Sequence, residues 1–306
     1  MSKTIETRDI SRYFGEFVAV DKVNLSINSG EIFGLLGPNA AGKSTIIRLL
    51  AGILRPSSGD ASILGLNLLT QTEQIKKLIG YVAQYFALYS DLTVYENISF
   101  YGGLYGIDDR SRLQQQLGLY GLDQFKNKNA GLLSGGFKRR LAMACASTHD
   151  PQLIFLDEPT AGIDPVTRKE LWDLFYQLSS VGKTLFVTTH YMEEAERCNR
   201  LAFLNQGKLV AQGSPAQIKA SIKDQQAYSC EITHNPELTD ALINVSGVQL
   251  VNQFGSELRI ITTTSVTFDA LHKIISEYHR HPFLLTLVPP SIEDAFMSLT
   301  QAGKKQ

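Results

Sequence analysis

Two hydrophobic rhythms alternate along the first two thirds of the chain. Ile32-Phe33-Gly34-Leu35-Leu36, Leu153-Ile154-Phe155-Leu156 and Thr184-Leu185-Phe186-Val187-Thr188 are continuous apolar runs. Such runs suit strands buried on both faces. Val23 to Ile27 alternates instead and turns at Asn28-Ser29-Gly30. Between the runs, Leu171, Leu174, Phe175 and Leu178 mark one face of a helix within Lys169 to Leu178. Buried strands alternating with helices predict an α/β fold with a mainly parallel sheet. Residues from about 85 to 150 read as mostly helical and are expected to form a helical subdomain.

The rhythm changes after Gly213-Ser214-Pro215 and a polar helix over Ala216 to Lys223. Tyr228, Cys230 and Ile232 alternate, whereas Leu238, Ala241, Leu242 and Val245 are helix-spaced. Val248 to Phe254 and Leu258 to Thr262 read as paired strands turning at Gly255-Ser256. A second helical stripe (Phe268, Leu271, Ile274, Ile275, Tyr278) and a strand at Phe283 to Val288 complete a βαββαβ order. That order predicts a small α+β ferredoxin-like domain. A last helix is expected after Pro289-Pro290, with Ser291 as N-cap and Ile292, Ala295, Phe296 and Leu299 inward. The expected domains are therefore residues 1–222 and 223–306.

Lys plus Arg is 29 and Asp plus Glu is 30 in 306 residues, a balance that disfavours nucleic-acid binding through a basic field. Residues 228 to 306 hold 5 Lys plus Arg against 8 Asp plus Glu, so no basic arm is expected there. Three cysteines without a CxxC pair point to a reduced compartment. The N-terminus lacks the apolar core of a signal peptide, and no run approaches the roughly 20 apolar residues of a spanning helix. The expectation is a chain soluble on its own, which takes any membrane role from a partner.

Gly37-Pro38-Asn39-Ala40-Ala41-Gly42-Lys43-Ser44-Thr45 fits G-x-x-x-x-G-K-[ST] and stands between a strand and a helical pattern, as a phosphate-binding loop requires. Loop amides and the helix N-terminus would hold the phosphates of ATP, with Lys43 at the β and γ oxygens and Ser44 on Mg²⁺. A second apolar strand ends in Asp157, a candidate for the Mg²⁺ shell. Glu158, one residue on, is placed to deprotonate a water in line with the γ-phosphate. Gln84 closes Tyr81-Val82-Ala83-Gln84, where it can touch both the metal and the water. His190 closes Val187-Thr188-Thr189-His190, where a neutral imidazole can reach the γ-phosphate. Taken singly, a strand-end glutamine or histidine is merely a solvated side chain. The other histidines show no ligand spacing, so no further metal site is expected.

Leu133-Ser134-Gly135-Gly136 brings a hydroxyl and bare amides to the start of a helix, a second arrangement suited to an anion. With an upstream aromatic, the phosphate loop, Gln84, Leu153 to Glu158 and His190, this order resembles the nucleotide-binding subunit of an ATP-binding-cassette (ABC) transporter over residues 4 to 220. The resemblance implies a P-loop ABC ATPase cassette with a mainly parallel core, an antiparallel β part and a helical subdomain. It further implies that Ser134, Gly135 and Gly136 cap the γ-phosphate held by a second, most simply identical, chain in a head-to-tail dimer. Asp164 joins the nucleotide contacts on the same ground. Phe14 takes the usual place of the aromatic that stacks on adenine, with Tyr13 as the alternative.

Two departures stand out: Ala40 replaces a usual glycine, where its methyl is expected to crowd the loop slightly, and Phe137 replaces a common glutamine. Phe137-Lys138-Arg139-Arg140, LDEPTAGIDP, TTHYMEEAERC and PPSIEDAFMSLT resemble the ATPase subunits of ABC-2-type exporters, including daunorubicin-resistance and multidrug exporters. In that branch the cassette works at the cytoplasmic face of the membrane on a separate permease. Its substrate is expected to be hydrophobic or amphipathic. The segment Tyr85 to Tyr105 carries seven aromatics (Tyr85, Phe86, Tyr89, Tyr95, Phe100, Tyr101, Tyr105) in the region that receives the permease. Most are expected to pack the helical subdomain and two or three to face the partner. The alternative is a soluble ABC ATPase acting on ribosomes or DNA, which would usually carry a second cassette or a long coiled coil.

Overall fold

In the computed structural model, which describes residues 2–84, 88–222 and 224–302, the continuous apolar runs are interior strands. Strands β1 (Lys3–Phe14), β2 (Phe17–Val23) and β3 (Ser26–Asn28) lead into β4 (Ile32–Leu36) and helix α1 (Lys43–Leu50). Then come β5 (Ser58–Ile63), β6 (Leu66–Asn67), α2 (Thr72–Leu78) and β7 (Ile79–Val82). The expected helical region holds α3 (Val94–Leu104), α4 (Arg110–Leu119) and α5 (Gly135–Ala146). β8 (Leu153–Asp157), α6 (Pro165–Ser180), β9 (Thr184–Thr189), α7 (Met192–Ala195), β10 (Arg200–Asn205) and β11 (Lys208–Gly213) follow.

The interior sheet has the order β11-β10-β4-β9-β8-β7, with parallel pairing from β10 through to β7. Alternate residues of β4 explain its unbroken apolar sequence. Phe33 and Leu35 join one core with Ile46, Ile47 and Leu50 of α1, whereas Ile32 joins another with Trp172 and Phe175 of α6. The first core is closed by an antiparallel sheet, β2-β1-β5-β6 with β3 also on β1, through Ile5, Ile10 and Ile63. The second core continues into Ile98, Leu113, Leu117 and Leu141 of α3, α4 and α5. The alternating segment Val23 to Ile27 is split between β2 and β3, yet Val23, Leu25 and Ile27 are all buried as the alternation requires.

A second unit, Gly213–Gln306, begins with α8 (Pro215–Ala220) and β12 (Gln225–Glu231). It continues with α9 (Pro236–Ile243), β13 (Val248–Phe254), β14 (Glu257–Thr263), α10 (Phe268–Tyr278), β15 (Leu285–Val288) and α11 (Ile292–Ala302). Its sheet runs β13-β14-β12-β15 with antiparallel neighbours, the split βαβ arrangement of a ferredoxin-like fold. Ser291 and Asp294 bond reciprocally at the start of α11, so the expected N-cap is a capping box. The units divide at Gln212/Gly213, before the expected 222/223 boundary, because α8 packs on α11. Tyr85 and Phe86 lie outside the described residues.

Candidate functional site

Four parallel strands, β4, β7, β8 and β9, deliver Gly37, Gln84, Glu158 and His190 from the same edge of the sheet. The register sets Leu36 beside Thr189 and Asp157 beside Thr188, so the loops beyond these strands meet. Ligands of open α/β sheets bind beyond this carboxyl edge.

The phosphate-binding loop turns through Ala40 at φ 62° and Gly42 at φ 104°. At Gly42 a side chain is excluded twice, since a Cβ would also lie 2.5 Å from the Ala19 carbonyl oxygen. Gly42 is the N-cap of α1 and supplies no side-chain bond to it. The first amides of α1 thus face the loop without an intrahelical partner, as an anion site requires. Ala40 is exposed and lines the cleft, and its departure from glycine also falls on the backbone as a left-handed residue.

Lys43 is buried, and its ammonium donates to the carbonyls of Gly37 at 3.0 Å and Pro38 at 3.1 Å. It also lies 3.3 Å from the Glu158 carboxylate. Glu158 accepts from Gln84 Nε2 at 3.1 Å, and His190 Nδ1 stands 3.5 Å from the same oxygen. Its backbone is left-handed, at φ 47°, a costly state for a residue with a side chain and one typical of functional sites. Asp157 is fully buried; its Oδ1 accepts from Thr188 Oγ1 at 2.7 Å and Ser44 Oγ at 3.2 Å. Its Oδ2 is buried without a protein hydrogen-bond partner. A desolvated carboxylate oxygen aimed past a serine hydroxyl suits a hard divalent cation, so Ser44, Asp157 and Gln84 fit Mg²⁺.

Thr188 and Arg139 were not singled out by sequence. Thr188 bridges Asp157 Oδ1 and the Glu158 amide, which donates to its hydroxyl at 2.9 Å. Its position in register beside Asp157, near the end of a strand holding three threonines, gives it that role and is invisible in the sequence. Arg139 lies on α5 and is described below.

A cleft of about 590 Å³ joins these groups, lined by Asn39 to Thr45, Gln84, Glu158, His190 and Tyr191, with Phe17 and Ala19 on its flank. Two aromatics border the cleft, Tyr191 and Phe17, the latter 64% exposed and on the side of β2. The expected Phe14 and its alternative Tyr13 are not among the lining residues. Phe14 pairs with Phe17 across the β1–β2 turn, and the Arg12 guanidinium lies 4.6 Å over its ring. Asp164 caps α6, accepting from the amides of Val166 at 3.1 Å and Thr167 at 3.0 Å. The Thr167 hydroxyl foremost, with these amides, holds its carboxyl below the usual carboxylate range, and its side chain serves its own helix.

Ser134 occupies the N-cap position of α5 but makes no side-chain bond to that helix. It and Gly135 are exposed, and a Cβ at Gly135 would meet nothing within 4 Å. Gly136 is buried against α6, where a Cβ would lie 2.3 Å from Thr167 Cγ2. Phe137 fills the place of the usual glutamine by packing on Phe125, ring centroids 4.3 Å apart.

A family model described as ABC transporter matches residues 20–161. The probable multidrug ABC transporter ATP-binding protein YbhF of Escherichia coli is 40% identical over 256 residues, covering 83% of this chain and 42% of its own. This chain thus spans less than half the length of that relative. The Nod factor export ATP-binding protein I of Rhizobium sp. (strain N33) is 37% identical over 309 residues. Among solved structures, the dimeric post-hydrolysis state of the ATP-binding cassette MJ0796, bound to ADP and Pi, aligns with a TM-score of 0.63 and 28% identity, covering 69% of this chain and 98% of that one. The Nod factor relative matches over 98% of both chains, and the chain belongs to the ATP-binding subunits of ABC transporters.

Proposed function

We propose that the chain is an ATP-hydrolysing subunit that closes head to tail on a second copy around two ATP molecules. Closure drives export of a hydrophobic or amphipathic compound through an ABC-2-type permease at the cytoplasmic face of the membrane. The observation that carries the reading is the convergence on Glu158 of Lys43, Gln84 and His190, beside the buried Ser44–Asp157 pair. Lys43 is within reach of a γ-phosphate seated on the loop, and Glu158 then accepts a proton from the attacking water. His190 and Gln84 fix that water and the phosphate between them. Mg²⁺, held by Ser44, Asp157 and Gln84, neutralises phosphate charge when bound.

The free hydroxyl of Ser134 and the open amide end of α5 support completion of each site by the other copy. The relative named for Nod factor export supports the exporter branch. No helix among the described residues is long and apolar enough to cross a membrane, which leaves translocation to another chain. Of the aromatics expected to meet that chain, Tyr89 (49%), Phe100 (42%) and Tyr105 (42%) are exposed, while Tyr95 and Tyr101 pack against the core. Beside them an apolar cleft of about 320 Å³ is lined by Ile53, Leu88, Tyr101, Tyr105 and Ala142. It has the size and character to take an apolar side chain or two from a permease helix lying on this surface.

The test is fractionation of cells that make the chain with its permease. The wild-type subunit should sediment with membranes. Tyr89→Glu and Tyr105→Glu should release it while leaving ATP binding unchanged. A wild-type subunit that stays in the supernatant and co-purifies with ribosomes or DNA would replace this reading with the soluble ATPase.

A further inference from the structure

We infer that Arg139 is a positioning residue through which α5, the helix that offers Ser134 to a second copy, sets the backbone at Gln84 and Glu158 of its own site. The dimer part of the inference rests on the function proposed above; the geometry does not. Arg139 is only 3% exposed. Its Nη1 donates to the Ala83 carbonyl at 3.0 Å, and its Nη2 donates to the carbonyls of Gln84 at 3.3 Å and Glu158 at 3.2 Å. One planar guanidinium thus spans two separate segments, the one following β7 and the one following β8. Both segments bear side chains that meet at the Gln84–Glu158 hydrogen bond.

The arrangement has a physical reason. Glu158 is left-handed, and its carbonyl accepts from the Ala161 amide at 3.2 Å as well as from Arg139, so the guanidinium is the donor that ties this turn to α5. Arginine supplies a rigid planar fork of donors, whereas lysine offers a compact charge on a flexible stem and fixes the spacing of two segments less rigidly. Burial lowers the guanidinium to about 10, and the carboxylates of Asp157 and Glu158 act in the opposite sense, so the group stays charged near neutrality. Arg139 lies little more than one helical turn beyond Ser134 on the same helix. A shift of α5 as Ser134 engages a partner's nucleotide therefore moves the fork, and with it the two segments that carry the water-binding groups.

Two variants, Arg139→Lys and Arg139→Gln, test the assignment in the full chain with Mg-ATP. Both should bind ATP within about twofold of wild type, because the phosphate loop is untouched. Their kcat should fall roughly 10- to 100-fold, the usual cost of misplacing catalytic groups by a fraction of an ångström to an ångström, with lysine the milder. Turnover within twofold of wild type in both variants overturns the inference. So does joint loss of ATP binding and turnover in both, which would make Arg139 a fold residue.

Mixed dimers then separate the two chains' roles. A Lys43→Ala chain paired with a Ser134→Arg chain leaves one working composite site, whose Glu158 belongs to the Ser134→Arg chain. Arg139→Lys added to that chain should lower the remaining activity by the same factor as in the single variant, and added to the Lys43→Ala chain it should spare most of it. The opposite pattern overturns the inference, since it would mean that Arg139 only braces the helix serving the partner. If the parent mixture itself is inactive although mixed dimers form, the shared-site reading fails. Arg139 is then judged by the single variants alone.

Discussion

At Glu158 three requirements meet in one residue. It must follow Asp157 directly, turn left-handed and keep a carboxylate within reach of Gln84 and Lys43. Glycine would adopt the turn more cheaply but could not move a proton. Glu158→Gln keeps the shape and the bond from Gln84 while removing the proposed base. Turnover should fall by roughly 10²- to 10⁴-fold, with ATP binding retained and the ATP-bound dimer accumulating, as seen by size exclusion with and without nucleotide. A rate within tenfold of wild type would reassign the base. The phosphate loop and Asp157-Glu158 were legible because their chemistry lies in consecutive residues. Thr188 and Arg139 were not, because their partners stand 31 and 19 residues away and only folding brings them together. Phe14 was placed by family position, whereas the cleft is flanked by Phe17, whose orientation depends on the β1–β2 turn.

At the scale of elements, the signature glycines do more than expose amides. The sequence marked Gly136 as a bare donor, but its second role is to let α5 approach α6 at Thr167. That approach could not be read from spacing, since nothing in the local pattern says which helix lies alongside. A methyl at Gly136 would sit 2.3 Å from Thr167 Cγ2, and a β-branched side chain has little rotamer freedom with which to yield. Gly136→Ala should therefore cost about 1–3 kcal/mol, measured as a lowered urea midpoint for the first unit. Thr167→Ser removes the clashing methyl and keeps the hydroxyl, so the double variant should recover much of the loss. Strictly additive effects would show that the two helices are not held apart by this contact. Periodicity succeeded where elements bury one face: Leu171, Leu174, Phe175 and Leu178 all lie in the core as spaced. It is thin at α8, where Ile218 and Ile222 alone, both buried, hint at a packed face and nothing local names α11 as the neighbour.

Across the whole chain, the functional groups and the second unit separate cleanly. Every residue placed around the nucleotide, from Phe17 to Tyr191, precedes Gln212. The second unit has its own core, built from Tyr228, Leu242, Ile260, Leu271 and Ile275 among others. A ferredoxin-like shape implies no chemistry by itself. Two units with separate cores should unfold separately, so calorimetry of the full chain should show more than one transition. Mg-ATP should raise the transition of the first unit and leave that of the second in place, since a ligand stabilises only what it binds. A chain ending after Gly213, the last residue of β11, should then keep ATP affinity within about twofold of the full chain. A single transition that moves as one with ATP, or loss of binding in the shortened chain, would show that the nucleotide unit depends on the second for its fold.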